Sequence, residues 1–176
     1  LMDEMYAADT SKKIRAVVQA KARAGERVTT NPPYGYLKDS NNPKNWIIDP
    51  VASEVVKRIF QEAKSGKSLS EIAKGLENDK VFKPDRHRIE IGLKPISASS
   101  NVESLPYFWT RETLSNILGR EEYIGHTVNL RTRKKSYKDK RKVDNPKEDW
   151  LIFKNTHEAI IDQETFDIVQ KMRSHK

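Results

Sequence analysis

The chain has 176 residues, a formal net charge of +8 and a sequence pI near 9.5, with 36% hydrophobic and 33% charged residues. That length holds one domain with a core, and the basic balance favours a polyanionic partner. The absence of cysteine excludes disulfides and thiolate zinc sites within the chain and fits a reducing cytoplasm. No apolar run approaches the ~20 residues of a membrane span, and no signal-peptide pattern opens the sequence.

Residues 2–24 contain neither Pro nor Gly and stop at Gly25, which predicts one long helix with a left-handed cap. Its acids Asp3, Glu4 and Asp9 lie early, and Lys12, Lys13, Arg15, Lys21 and Arg23 lie late. Cations late in a helix complement its dipole, and the same cations can meet phosphates; both readings stay open. The chain opens in mid-helix without an initiator Met, so a piece of a longer protein is expected.

Residues 26–36 form an arm in which Pro32 and Pro33 impose an extended, stiff path. Arg27, Thr29, Thr30 and Asn31 place donors along it. Arms of this kind lie in the DNA minor groove, where Arg is drawn by negative potential; a plain linker is the alternative. Residues 34–37 and 46–48 read as a small hairpin around a turn-rich segment.

Asp49 then caps a helix with Pro50 at its first position, with Val51, Val55, Val56, Ile59, Phe60 and Ala63 as its buried stripe, before Gly66 ends it. Ser68 and Glu71 form a capping box for a helix over 69–78, with Leu69, Ile72, Ala73 and Leu76 inward. A second helix with outward polar residues follows, the plan of a helix-turn-helix distorted by an irregular insert over 81–108. The insert carries Lys83, Arg86, His87, Arg88 and Lys94.

Residues 107–126 read as one short amphipathic helix with Thr110 at the N-cap and Leu114, Ile117 and Leu118 on the buried face. Arg111, Glu112, Ser115 and Asn116 lie opposite. Arg and Asn can hydrogen-bond bidentately to guanine and adenine edges, and a helix fits the major groove; a solvated surface is the alternative. Residues 123–130 and 150–154 alternate as strands. Between them, residues 131–142 hold eight Lys or Arg against one acid, Asp139. Clustered like charge is costly without an anion nearby, so Arg131, Arg133, Lys134, Lys135, Ser136 and Tyr137 are candidate DNA contacts. Asp162 caps a closing helix over 163–173 with Phe166, Val169 and Met172 inward.

Catalytic patterns are missing. His87, His126, His157 and His175 form no metal-ligand pair, and no Gly-rich phosphate loop occurs. Pro84-Asp85 and Glu62-Ala63-Lys64 supply pieces of a metal-dependent nuclease motif, but in the wrong order. No cofactor and no metal is expected. A basic RNA-binding module remains an alternative to DNA binding, weakened by aromatics of only 8% for stacking bases.

Five stretches, KIRAVVQAKARAGERVTTNPPYGY, IIDPVASEVVKRIFQ, SLSEIAKGLENDKV, FWTRETLSNILGREEYIGHTV and NTHEAIIDQETFDIVQ, occur in an order that resembles the recombinase domain of large serine recombinases, such as phage serine integrases and transposon resolvase-like proteins. The resemblance implies that residues 1–25 are a helix leading from a catalytic domain, 26–33 a linker along the minor groove, and 34–176 the DNA-binding domain, whose helix after Thr110 reads the major groove. It implies double-stranded DNA at attachment sites as the partner of a cytoplasmic, bacterial or mobile-element protein that acts as a dimer or tetramer. The serine nucleophile of such proteins lies in a domain not represented here, so no catalytic residue is carried over and no activity is expected of this chain alone. The fold expected is mainly α with small β (α+β): a long helix, an arm, and a compact helical domain with a distorted helix-turn-helix and a small hairpin sheet.

Overall fold

In the computed structural model, which describes residues 1–97, 101–136, 138–139 and 141–174, the 22-residue helix α1 (Met2–Arg23) leads into the body of the molecule. It ends as the sequence predicts. Gly25 adopts φ +79°, its N–H reaches Ala22 O, and Glu26 N reaches Lys21 O, satisfying carbonyls the helix leaves open. Ala22 is the one buried residue that α1 contributes, so α1 is an arm rather than a core element.

The body is built on α2 (Pro50–Lys64), α3 (Leu69–Asn78), α5 (Arg111–Leu118) and α6 (Gln163–Ser174). Asp49 accepts from the backbone N–H groups of Val51 and Ala52, and Ser68 and Glu71 complete the predicted capping box. The helices bury Val56, Ile59, Phe60, Ile72, Leu76, Leu114, Ile117, Leu118, Phe166 and Val169 in one core. Val51, expected in that stripe, is 62% exposed because helical spacing turns it away from the face that buries Ala52, Ser53, Val56, Ile59 and Phe60. Met172, also expected inward, is half-buried.

Among the described residues the strands form three antiparallel pairs. β1 (Tyr36–Lys38) pairs with β2 (Trp46–Ile48), β3 (Thr127–Asn129) with β6 (Leu151–Phe153), and β4 (Thr132–Lys134) with β5 (Lys142–Asp144). The β4–β5 hairpin is thus an excursion between β3 and β6. The strand expected from residue 123 starts later. Tyr123 and Ile124 lie in a 3-10 turn, and Gly125 at φ +89° turns the chain where a Cβ would sit 2.8 Å from His157 O.

The insert over 81–108 is not irregular throughout. Pro84–Glu90 forms helix α4, whose buried His87 places Nε2 2.7 Å from Asp49 Oδ2. Trp109 Nε1 donates to Val81 O at 3.0 Å and Lys83 N to Pro106 O, so the two ends of the insert are tied together at its neck. A Pro at its first position and a buried anchor stabilise a helix too short to stand alone.

Candidate nucleic-acid interface

Helix α5 is eight residues long, and isolated helices of that length do not persist in water. Its apolar face is locked into the core, and Thr110 Oγ1 accepts from Thr113 N at 3.1 Å, as the N-cap reading predicts. It ends at Gly119, shorter than the helix expected over 107–126. Its outer face carries Arg111, Glu112 and Asn116, exposed and without a side-chain partner among the described residues. Ser115 differs: it is half-buried, and Arg173 of α6 donates to both its carbonyl, at 3.1 Å, and its hydroxyl, at 2.9 Å. Burial lowers the Arg173 pKa from its ordinary value, which still leaves a cation.

Ser115 and Asn116 open onto a cleft of about 720 Å³ whose other walls include Arg131, Lys147, Trp150 and Lys171. Reading the sequence missed Lys147, Lys171 and Arg173. Their only signal was a pair of cations in the last turn of α6 and a lysine three residues from a tryptophan.

The β4–β5 hairpin is mostly side chain and solvent. Arg133, Lys134 and Lys135 are exposed, and the register sets Lys134 directly opposite Lys142. Like charges facing across a ladder destabilise it, a cost that a bound polyanion removes. Ser136 is half-buried, with its hydroxyl accepting from Asp139 N at 2.8 Å; Tyr137 lies outside the described residues. Arg131 sits apart from this row. Its guanidinium lies over Trp150, 4.8 Å from the ring centroid, and Nη2 donates to buried Glu122 Oε2 at 3.0 Å, so it anchors the base of the hairpin. Asn145 adds to that base by donating to Leu130 O and accepting from Arg133.

On α1, Lys12, Arg15, Lys21 and Arg23 are all exposed. Helical spacing puts Lys12, Arg15 and Arg23 on one side and Lys21 on the other. Lys138, in the turn of the hairpin, reaches Glu4 in the first turn of α1 at 3.3 Å.

The arm leaves Thr29, Thr30 and Asn31 exposed, but Arg27 is clamped. Its guanidinium covers the Trp46 ring at 4.3 Å, donates to Lys44 O at 2.6 Å, and lies 2.9 Å from His157 Nδ1. Because His157 Nε2 lies 2.6 Å from the Glu122 carbonyl, which can only accept, the ring proton is on Nε2 and Nδ1 accepts from Arg27. Burial first, and then the neighbouring Arg27, hold the His157 pKa below its ordinary value, outweighing the carbonyl that favours the proton. Asn129 closes the joint: its Nδ2 donates to Ala22 O at 3.2 Å and Glu26 O at 2.8 Å.

A family model described as Recombinase matches residues 50–176. The chain belongs to the Recombinase family. Two solved structures share the fold of this Recombinase chain at 16% identity. One, described as a crystal structure of an LSR–DNA complex, aligns with a TM-score of 0.53 over 93% of this chain and 38% of its own. The other, described by the sequence requirements of the Listeria innocua prophage attP site, aligns with a TM-score of 0.52 over 94% of this chain and 52% of its own. The Recombinase chain therefore spans about two fifths and one half of those two proteins. No curated protein sequence matches it. The resemblance drawn from the sequence and the α+β fold class are both borne out. Among the described residues, no helix is long and apolar enough to cross a membrane.

Proposed function

We propose that this chain binds double-stranded DNA sequence-specifically at attachment sites, as the DNA-binding part of a serine recombinase that integrates or excises mobile DNA. The observation that carries this reading is the outer face of α5: Arg111 and Asn116 stand unengaged on a helix fixed at both ends, beside a basic cleft and a basic hairpin. Helix α5 enters the major groove. The hairpin residues Arg133, Lys134 and Lys135, with Lys12, Arg15, Lys21 and Arg23 of α1, meet phosphates. Thr29, Thr30 and Asn31 follow the minor groove, whereas Arg27 reaches DNA only by leaving its clamp. Two chains of the same fold come from structures whose descriptions name an LSR–DNA complex and an attP site, which supports the reading. On this reading the chain takes no part in cleavage or strand exchange, and it binds DNA within a dimer or tetramer in the cytoplasm.

The test is a competition between duplex DNA and RNA. The chain is expected to prefer the duplex and to bind it with a steep inverse dependence on salt. Preference for RNA or single strands would overturn the reading, as would DNA cleavage by this chain with Mg²⁺.

A further inference from the structure

Helix α6 donates from outside to two of the last carbonyls of α5: Leu118 O, and Ser115 O, which also accepts from Gly119 N at 3.1 Å. Gln170 Nε2 donates to Leu118 O at 2.6 Å, while Arg173 Nη2 donates to Ser115 O and to Ser115 Oγ. Gly119 leaves room for this: a Cβ there would stand 3.2 Å from Arg173 Nη1. A guanidinium at this end of the helix also complements its dipole.

Two hydrogen bonds to one residue do more than cap. A serine in a helix commonly turns its hydroxyl back to a carbonyl one turn earlier, where it has nothing to offer a ligand. Among the described residues no such bond is made by Ser115, whose oxygen instead accepts from a cation. An oxygen that accepts from a charged donor becomes a better donor itself, and Ser115 borders the cleft beside Asn116 with its hydroxyl donating to no acceptor among the described residues.

Resting on the reading that α5 enters the major groove, we infer that Arg173 is a positioning residue for base recognition: it fixes Ser115 as a hydrogen-bond donor, so that Ser115 reads an acceptor edge. The acceptors available are guanine O6 and N7, adenine N7 and thymine O4; the amino groups of cytosine and adenine are disfavoured, because one lone pair of the hydroxyl is taken and the adjacent guanidinium repels a second donor. Arg173 itself touches no base.

The experiment selects preferred duplexes from a randomised pool with the chain. It then measures equilibrium binding to a panel of single-base variants, with thermal melts of each protein as a control. Ser115→Ala and Arg173→Ala are expected to flatten the preference at the same base pair, each by roughly three- to tenfold, and the double variant should be no flatter than either single one. Arg173→Lys keeps a cation at the helix end but cannot hold both oxygens in one plane, so it should lose the same preference with a smaller loss of stability; it carries the test if the alanine variant melts too low to assay. Gln170→Ala removes the Leu118 cap and the 3.4 Å bond from Arg173 Nη1 but leaves both Nη2 bonds to Ser115, so it should lower the melting temperature and leave the base preferences intact.

If the Arg173 variants weaken all duplexes equally, or alter a different base pair from Ser115→Ala, Arg173 is a cap or a phosphate contact and the inference is wrong. If Ser115→Ala, Arg111→Ala and Asn116→Ala all leave the base preferences unchanged, the placement of α5 in the groove fails and this inference fails with it.

Discussion

Helix α5 and the β4–β5 hairpin carry two halves of one proposed interface, and they are built in opposite ways. The helix is fixed on every side except the one facing outward: core residues beneath it, Thr110 at one end, Gln170 and Arg173 at the other. The hairpin has three residues on each strand, only Val143 among them not exposed, and it is secured mainly at its base through Arg131, Glu122 and Asn145. Reading a base edge needs donors held within the tolerance of a hydrogen bond, whereas neutralising phosphate needs charge nearby. The packing is concentrated where geometry matters.

Substitutions at the hairpin base, along its strands, in the arm and on α1 can break or sharpen that contrast. The largest effect is expected from Glu122→Ala. It strands Arg131, whose side chain is 24% exposed against 6% for Glu122, and should cost about 3 kcal/mol in urea unfolding. If the cost is near zero, the hairpin is not anchored there. Next, changing Lys134, Lys135 and Lys142 together to Ala should make the log affinity against log salt shallower by about 0.9 for each phosphate left without its cation, without altering base preference. A change in base preference would give the hairpin a reading role and erase the contrast.

A smaller effect tests the clamp on the arm. With its pKa depressed in the fold, neutral His157 contributes stability that is complete above the unfolded value of about 6.5 and is lost as the pH falls through the lower folded value. Stability should therefore decline below about pH 6.5, by at most about 1.4 kcal/mol per pH unit from this group, and His157→Gln should remove that part of the decline. Unfolding curves at a series of pH values check it; an identical decline in the variant would contradict the assignment. The smallest effect belongs to Lys13→Ala on α1. Its ion pair with Asp9 is 78% and 62% exposed on the two sides, so stability should change by less than about 0.5 kcal/mol.

The helices were legible in the sequence because their signals are local. Asp49-Pro50, the Ser68–Glu71 box, Thr110 and Gly25 sit at element ends where the backbone itself demands them. Long-range partnerships were not legible. Nothing in the local pattern says that Arg27 is stacked on Trp46, that Arg131 turns inward to Glu122, or that Ser115 is held by a residue 58 positions away. As residue types, those three donors look no different from their exposed neighbours. Helix α4 escaped notice because seven residues are too few to display a periodicity, and its anchor, Asp49, lies 38 positions earlier.

The most direct test compares Asn116→Ala with the triple lysine variant of the hairpin on one panel of single-base duplex variants at two salt concentrations. Asn116→Ala is expected to lose about 1–3 kcal/mol on the preferred duplex, flatten the preference at one base pair, and leave the salt dependence unchanged, while the hairpin variant does the reverse. If both variants lower affinity uniformly across the panel, α5 does not read bases and the division of labour between helix and hairpin is wrong.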